Sequence, residues 1–162
     1  MKAAIITVSD KGARGERIDL SGPEIARLLK EIGAEIVYTA IVPDEKEVIA
    51  ATICECADEK ECDLILTTGG TGVSPRDVTP EATLSVVDRI VPGLAEEMRR
   101  ASALKTPHAL LSRAQAGIRN RSLIINLPGS PRGARENLEA IIAALPHAVE
   151  KMKGDPTDCA RD

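Results

Sequence analysis

Hydrophobic and polar positions sort this chain into short apolar runs separated by stretches of helical period. Lys2–Ser9, with Ala3, Ala4, Ile5 and Ile6 in succession, and Leu64–Leu66 read as strands buried on both faces. Glu35–Val42 reads as a further strand, ended by Pro43. Between the first two strands, Ile25, Leu28, Leu29 and Ile32 form one helical stripe. Ser21-Gly22-Pro23-Glu24 has capping-box spacing at its start, Leu20 and Ile25 are placed as a hydrophobic staple, and Gly33 closes its end. Val48, Ile49, Thr52, Ile53 and Cys56 are the expected core face of the next helix.

The second half repeats the alternation. Glu81–Val87 and Leu94–Ala103 read as helices divided by Pro92-Gly93, with Arg99 and Arg100 expected on an exposed side and Pro107 as the stop. Gly117–Arg119 and Ser122–Asn126 read as strands around Asn120-Arg121. Leu138, Ile141, Ile142 and Leu145 give a last apolar face, broken at Pro146, and a short helix runs to about Lys153. Strands alternating with helices define an α/β fold, a three-layer sandwich around a mostly parallel sheet. No repeat or linker divides it, so residues 1–153 are expected to be one domain and residues 154–162 a frayed polar tail.

Composition narrows the function classes. Aromatic residues are 1% of the 162-residue chain and the net charge is −4, which argues against a nucleic-acid footprint and against base stacking on rings. No apolar run approaches the ~20 residues that span a bilayer, and the first strand starts at the N-terminus without a signal peptide, so a cytoplasmic protein is expected. Cys54, Cys56, Cys62 and Cys159 lack Cys-x-x-Cys spacing, which disfavours a structural zinc site and leaves reduced thiols as the expectation.

Candidate chemistry concentrates in Thr67-Thr68-Gly69-Gly70-Thr71-Gly72-Val73-Ser74-Pro75-Arg76-Asp77-Val78-Thr79-Pro80. It leaves a strand and opens a helix, with Thr79 as the expected N-cap and Pro80 in the first turn. Three glycines and three threonines over residues 67–72 allow close backbone approach and supply many donors, as phosphate sites do. The alternative is a loop that merely turns the chain, since neither Walker nor G-x-G-x-x-G spacing is present. Leu127-Pro128-Gly129-Ser130-Pro131-Arg132-Gly133 is a second small-residue loop after a strand. Asp44 follows the strand ending at Pro43. It is either the N-cap of the next helix, with Glu47 at capping-box spacing, or a partner of Asp77 at one metal ion. Asp10–Arg17 reads as a mobile polar loop that either stays solvated or reaches a ligand.

The run Thr67–Gly72 followed by Pro75-Arg-Asp-Val-Thr-Pro80 closely resembles the MoaB/Mog family of molybdenum cofactor biosynthesis. Val42-Pro-Asp-Glu45, Leu111-Ser-Arg113 and Ile124-Ile-Asn-Leu-Pro-Gly-Ser130 extend the likeness to nearly the whole chain. The resemblance implies a homotrimeric molybdopterin adenylyltransferase that moves AMP from ATP to the molybdopterin phosphate with Mg²⁺ and releases pyrophosphate. A molybdate-inserting enzyme would then receive the product. It implies metal-associated acids at Asp44 and Asp77, and a nucleotide and pterin pocket at Thr68, Gly69, Gly70, Thr71, Gly72, Pro128, Gly129 and Ser130. Ser112 would lie near the pterin or the transferred group, and Arg76 or Arg132 would add a contact to substrate. A non-catalytic molybdopterin-binding protein of the same fold is the alternative reading.

Overall fold

Strand β1 (Lys2–Val8) runs parallel between β2 (Glu35–Val42) and β3 (Leu64–Thr68) in the computed structural model, which describes residues 1–154 and 156. Strand β6 (Ser122–Leu127) continues the parallel set beyond β3. Two antiparallel strands, β5 (Ala116–Arg119) and β4 (Arg89–Ile90), complete the order β2-β1-β3-β6-β5-β4. The α/β sandwich with a mostly parallel sheet is therefore borne out. The expected polar tail lies almost wholly outside the described residues, as does Cys159.

Period-two alternation divides the strand residues between two cores. Ala3, Ile5, Leu64, Leu66, Leu123 and Ile125 face one side. There they meet α2 (Ser21–Glu31), α5 (Pro92–Ala103), α6 (Pro131–Ile141) and α7 (Leu145–Met152). Ala4, Ile6, Ile65 and Ile124 face the other side, against α3 (Lys46–Cys54), its π-helical extension Glu55–Glu59 and α4 (Thr79–Leu84). The central strands are fully covered, which is why they read as apolar on successive positions.

Several local expectations are corrected. The α2 start is held by Asp19, whose Oδ1 accepts the Ser21 and Gly22 amides at 2.9 and 3.0 Å. Ser21 Oγ instead donates to the Gly129 carbonyl, and Leu20 is exposed, so neither the capping box nor the staple forms. Val48 lies outside the α3 core face. Helix α4 ends at Leu84, earlier than the expected Val87, and the chain then enters β4, which the sequence reading did not contain. Helix α5 starts at Pro92, where a missing N–H costs nothing. Arg99 is half-buried, and its Nη1 donates to the Ala114 carbonyl at 2.9 Å rather than facing solvent. Residues 10–13 form a short helix, α1 (Asp10–Ala13), capped by Ser9. Among the described residues no helix is long and apolar enough to cross a membrane.

Candidate active site

Strand register sets the site. Val8 pairs with Val42, Thr7 with Thr68, and Thr68 with Leu127, so four parallel strands end level. The residues that follow, Ser9-Asp10, Pro43-Asp44, Gly69-Gly70 and Pro128-Gly129, emerge together at the carboxyl edge. Chain order reverses between β1 and β3, the position where open α/β sheets hold ligands. A cavity of about 570 Å³ opens there, bordered by Thr7, Asp19, Asp44, Gly70, Gly129 and Ser130.

The glycine loop is built to expose its amides. Gly69 and Gly70 have φ of +105° and +64°, and a Cβ on Gly69 would stand 2.3 Å from the Val8 carbonyl oxygen. Thr79 takes both glycine carbonyls: its hydroxyl donates to Gly69 O at 2.8 Å and its amide to Gly70 O at 3.1 Å. Thr79 is thus the loop's inner fastener, not an N-cap, and α4 begins with it. The amides of Gly70, Thr71, Gly72 and Val73 donate to no protein acceptor among the described residues. Consecutive unpartnered amides of this kind suit an anion, as a backbone nest does.

Two carboxylates flank these amides. Asp44 Oδ2 accepts the Asp10 amide at 2.8 Å, and the Asp44 amide donates back to Asp10 Oδ1 at 3.0 Å. Asp44 is therefore not the cap of α3, whose N-cap position is Glu45. Burial pushes the Asp44 carboxyl up, and the charges of Asp10 and Asp77 push it further, against the opposing pull of the Asp10 amide and Arg76. Asp77 Oδ2 accepts the Ser74 amide at 2.8 Å. A Cβ on Gly72 would lie 2.9 Å from that same oxygen, and one on Gly70 would lie 3.3 Å from Asp44 Oδ1. Each acid thus rests on a bare glycine.

Six of the sequence-derived residues line the cavity: Asp44, Thr68, Gly69, Gly70, Gly129 and Ser130. Thr68 Oγ1 donates to the Pro128 carbonyl at 2.7 Å, which joins the two glycine loops. Ser130 N-caps α6 by accepting the Gly133 amide at 3.1 Å. Thr71, Gly72, Asp77, Ser112 and Pro128 are not among the residues that line the cavity. Ser112 ends the 3₁₀ turn Pro107–Leu111, and the next residue, Arg113, donates its amide to the Thr71 carbonyl at 2.9 Å.

Arg113, whose contacts no local spacing signals, is joined to the glycine loop by its side chain. Its Nε donates to Gly72 O at 2.7 Å, and its remaining nitrogens reach the Asp77 carbonyl and the Glu81 carboxylate. It straps both ends of the loop to one guanidinium. Asp19, also missed, holds the α2 end of the cavity and accepts the Thr7 hydroxyl at 2.6 Å. The two arginines expected to meet substrate each form ion pairs within the protein. Arg76 binds Asp10 and Glu45, each at 2.9 Å, and Arg132 binds Glu136 at 2.9 Å.

An open sheet with a cavity at its carboxyl edge places the molecule among the ligand-binding α/β folds. Within that class the sequence is specific: residues 4–147 match the family described as a probable molybdopterin binding domain, and the chain belongs to it. It is 45% identical over 153 residues to the molybdopterin adenylyltransferase of Helicobacter pylori, spanning 93% of this chain and 87% of that one. The Escherichia coli K12 molybdopterin adenylyltransferase is 37% identical over 174 residues, 99% and 89% of the two chains. The crystal structure of the molybdopterin biosynthesis enzyme MoaB from Thermus thermophilus is 52% identical, with a TM-score of 0.90 over 97% of this chain and 99% of that one. The MoaB/Mog resemblance is borne out.

Proposed function

We infer that this protein is a molybdopterin adenylyltransferase. A terminal phosphate oxygen of molybdopterin attacks the α-phosphorus of ATP; the bond from that phosphorus to the pyrophosphate oxygen breaks, and pyrophosphate leaves. The substrate brings its own nucleophile, so the absence of a Ser/His/Asp set among the loop residues is no obstacle. The enzyme's work is to hold two polyanions in line and to stabilise charge on the transferring group. The observation that carries this reading is the row of unpartnered amides from Gly70 to Val73, set between the carboxylates of Asp44 and Asp77.

The residues fit Mg²⁺. Both candidate ligands are carboxylates, hard oxygen donors, and the burial that raises Asp44 disfavours its bare charge, which a divalent cation would offset. Among the described residues no group of three or more His, Cys, Asp or Glu forms a cage, and magnesium shared with substrate phosphates requires none. Bound there, Mg²⁺ would offset phosphate charge and polarise the transferring phosphoryl group. Asp44 and Asp77 would hold it, the loop amides would receive phosphate oxygens, and Gly129 and Ser130 border the cavity. Ser112 precedes Arg113, whose amide holds the Thr71 carbonyl, and would lie near the pterin or the transferred group.

The chain acts as a homotrimer, and Leu104, Leu110 and Leu111, exposed by half or more, offer apolar surface for assembly. Light scattering is expected to give three times 17.2 kDa. ATP use assigns the reaction to the cytoplasm, in keeping with unpaired thiols at Cys54, Cys56 and Cys62. The adenylylated product passes to a molybdate-inserting enzyme.

The test is incubation with ATP, Mg²⁺ and molybdopterin, reading adenylyl-molybdopterin and pyrophosphate. Product is expected from the native chain and not from Asp77→Asn, which retains molybdopterin binding. Tight molybdopterin binding by the native chain without product would overturn the reading in favour of a binding protein.

A further inference from the structure

We propose that Asp10 is a positioning residue for the reaction, holding the Asp44 carboxylate in the orientation that binds the metal ion. The proposal rests on the reading of Asp44 as a magnesium ligand. Two hydrogen bonds close a ring between the residues: Asp10 N–H to Asp44 Oδ2 at 2.8 Å, and Asp44 N–H to Asp10 Oδ1 at 3.0 Å. One oxygen of Asp44 is thereby pinned, and the other, Oδ1, lies beside the α-carbon of Gly70.

Asp10 itself is spoken for. Its two oxygens take Arg76 Nε at 3.2 Å and Nη2 at 2.9 and 3.0 Å, so its charge is offset by a guanidinium and not offered to a cation. Arg76 immediately precedes Asp77 and also reaches Glu45 at 2.9 Å. Hydrogen bonds thus link Asp44 to Asp10 and Asp10 to Arg76, joining the ends of β1 and β2 to the glycine loop at the residue next to Asp77. The linkage fixes Asp44 relative to the segment that carries Asp77, the two acids that would hold the cation. The Asp10–Arg17 segment, whose role the sequence left open, contributes its first residue to the site.

Outer partners of metal ligands typically contribute about 10–100-fold to metal affinity. Mn²⁺ in the presence of ATP is the probe, with binding followed by electron paramagnetic resonance and activity followed in parallel. Asp44→Asn is expected to abolish the protein-bound signal. Asp10→Asn keeps an acceptor for the Asp44 amide but loses the Arg76 anchor. It is expected to weaken Mn²⁺ about tenfold, with kcat restored by excess metal and KM for ATP unchanged at saturating metal. Arg76→Gln, on the solvent side of the linkage, is expected to give the same loosening without loss of folding, whereas Glu45→Gln should stay within twofold of the native chain. Native Mn²⁺ affinity in both Asp10→Asn and Arg76→Gln would overturn the proposal. So would a loss of kcat in Asp10→Asn that excess metal does not restore. Native affinity in Asp44→Asn would instead remove the metal role of Asp44, and the role of Asp10 with it.

Discussion

The Asp44 carboxylate rests against the bare α-carbon of Gly70: a Cβ there would stand 3.3 Å from Asp44 Oδ1 and 2.3 Å from Thr79 Oγ1. Gly70 also has φ of +64°, where a side chain costs about 1–2 kcal/mol. Gly70→Ala would displace the Thr79 hydroxyl from the Gly69 carbonyl and disturb the acid beside it. The expected outcome is a loss of about 2–3 kcal/mol, the strain plus one hydrogen bond. That corresponds to a fall in Tm of roughly 5–10 °C, with adenylylation reduced at least about 100-fold. Calorimetry and the pyrophosphate assay check it. Native turnover by Gly70→Ala would separate the loop backbone from the chemistry.

The strands were legible because central parallel strands need apolar side chains on both faces, and β1, β3 and β6 carry them on successive positions. Strand β4 was not, because Arg89 and Ile90 are both exposed and leave no apolar signature. The site glycines were legible as a loop, but their fastening was not. Thr79 has the composition of a cap, and only the fold shows its hydroxyl spent on Gly69. Ser21 likewise meets every local rule for a capping box, yet its hydroxyl is drawn to Gly129, 108 residues away. Asp44 was ambiguous for the same reason. Its competing partner, the Asp10 amide, comes from another strand end, and no local spacing reports it. Register places these residues, and register is a property of the sheet.

A buried polar cluster supports the loop from beneath. Asn126 Nδ2 donates to Thr67 Oγ1 at 3.0 Å and Thr83 Oγ1 at 2.8 Å, and its Oδ1 accepts the Gln115 amide at 3.1 Å. Asn126, Thr67 and Thr83 are each 0% exposed, so no water replaces a lost partner. Asn126→Leu is expected to cost about 3–5 kcal/mol by stranding these groups. Adding Thr67→Val and Thr83→Val removes two stranded hydroxyls and is expected to recover part of that loss. Urea titration of the single and triple variants measures both, and a triple variant weaker than the single would refute the account.

Asp44 and Asp10 should respond to pH with opposite signs in metal-free protein. Burial raises Asp44 above its ordinary value of 3.8, so the folded chain holds this proton more tightly than the unfolded one. The associated stability is present below pH 3.8 and is lost as pH rises through the folded value. Asp44→Asn is therefore expected to raise Tm at neutral pH while abolishing activity. The Arg76 hydrogen bond lowers Asp10, so its contribution is present above 3.8 and disappears as pH falls through the folded value. Asp10→Asn is expected to lower Tm at neutral pH and to match the native chain in strong acid. Melting curves in chelator from acid to neutral pH test both; parallel curves for the two variants would contradict the assignment.

Arg113 is the most economical place to loosen the site without touching an acid. Its fork spans Gly72 O at 2.7 Å, the Asp77 carbonyl and the Glu81 carboxylate, while its own amide holds Thr71 O. A lysine at this position keeps the charge but presents one point donor in place of a planar fork. It can serve Glu81 or the loop carbonyls, not all three. Arg113→Lys is expected to lose about 1–3 kcal/mol of stability. More tellingly, it should raise the KM for ATP several-fold, because Gly72 and Asp77 are no longer held at a fixed separation. A second single variant separates the parts. Glu81→Gln alone removes only the peripheral ion pair, at a cost of up to about 1 kcal/mol for a half-exposed pair, and should leave KM near the native value. Equal KM changes in Arg113→Lys and Glu81→Gln would mean that the ion pair, and not the strap across the loop, is what the site requires.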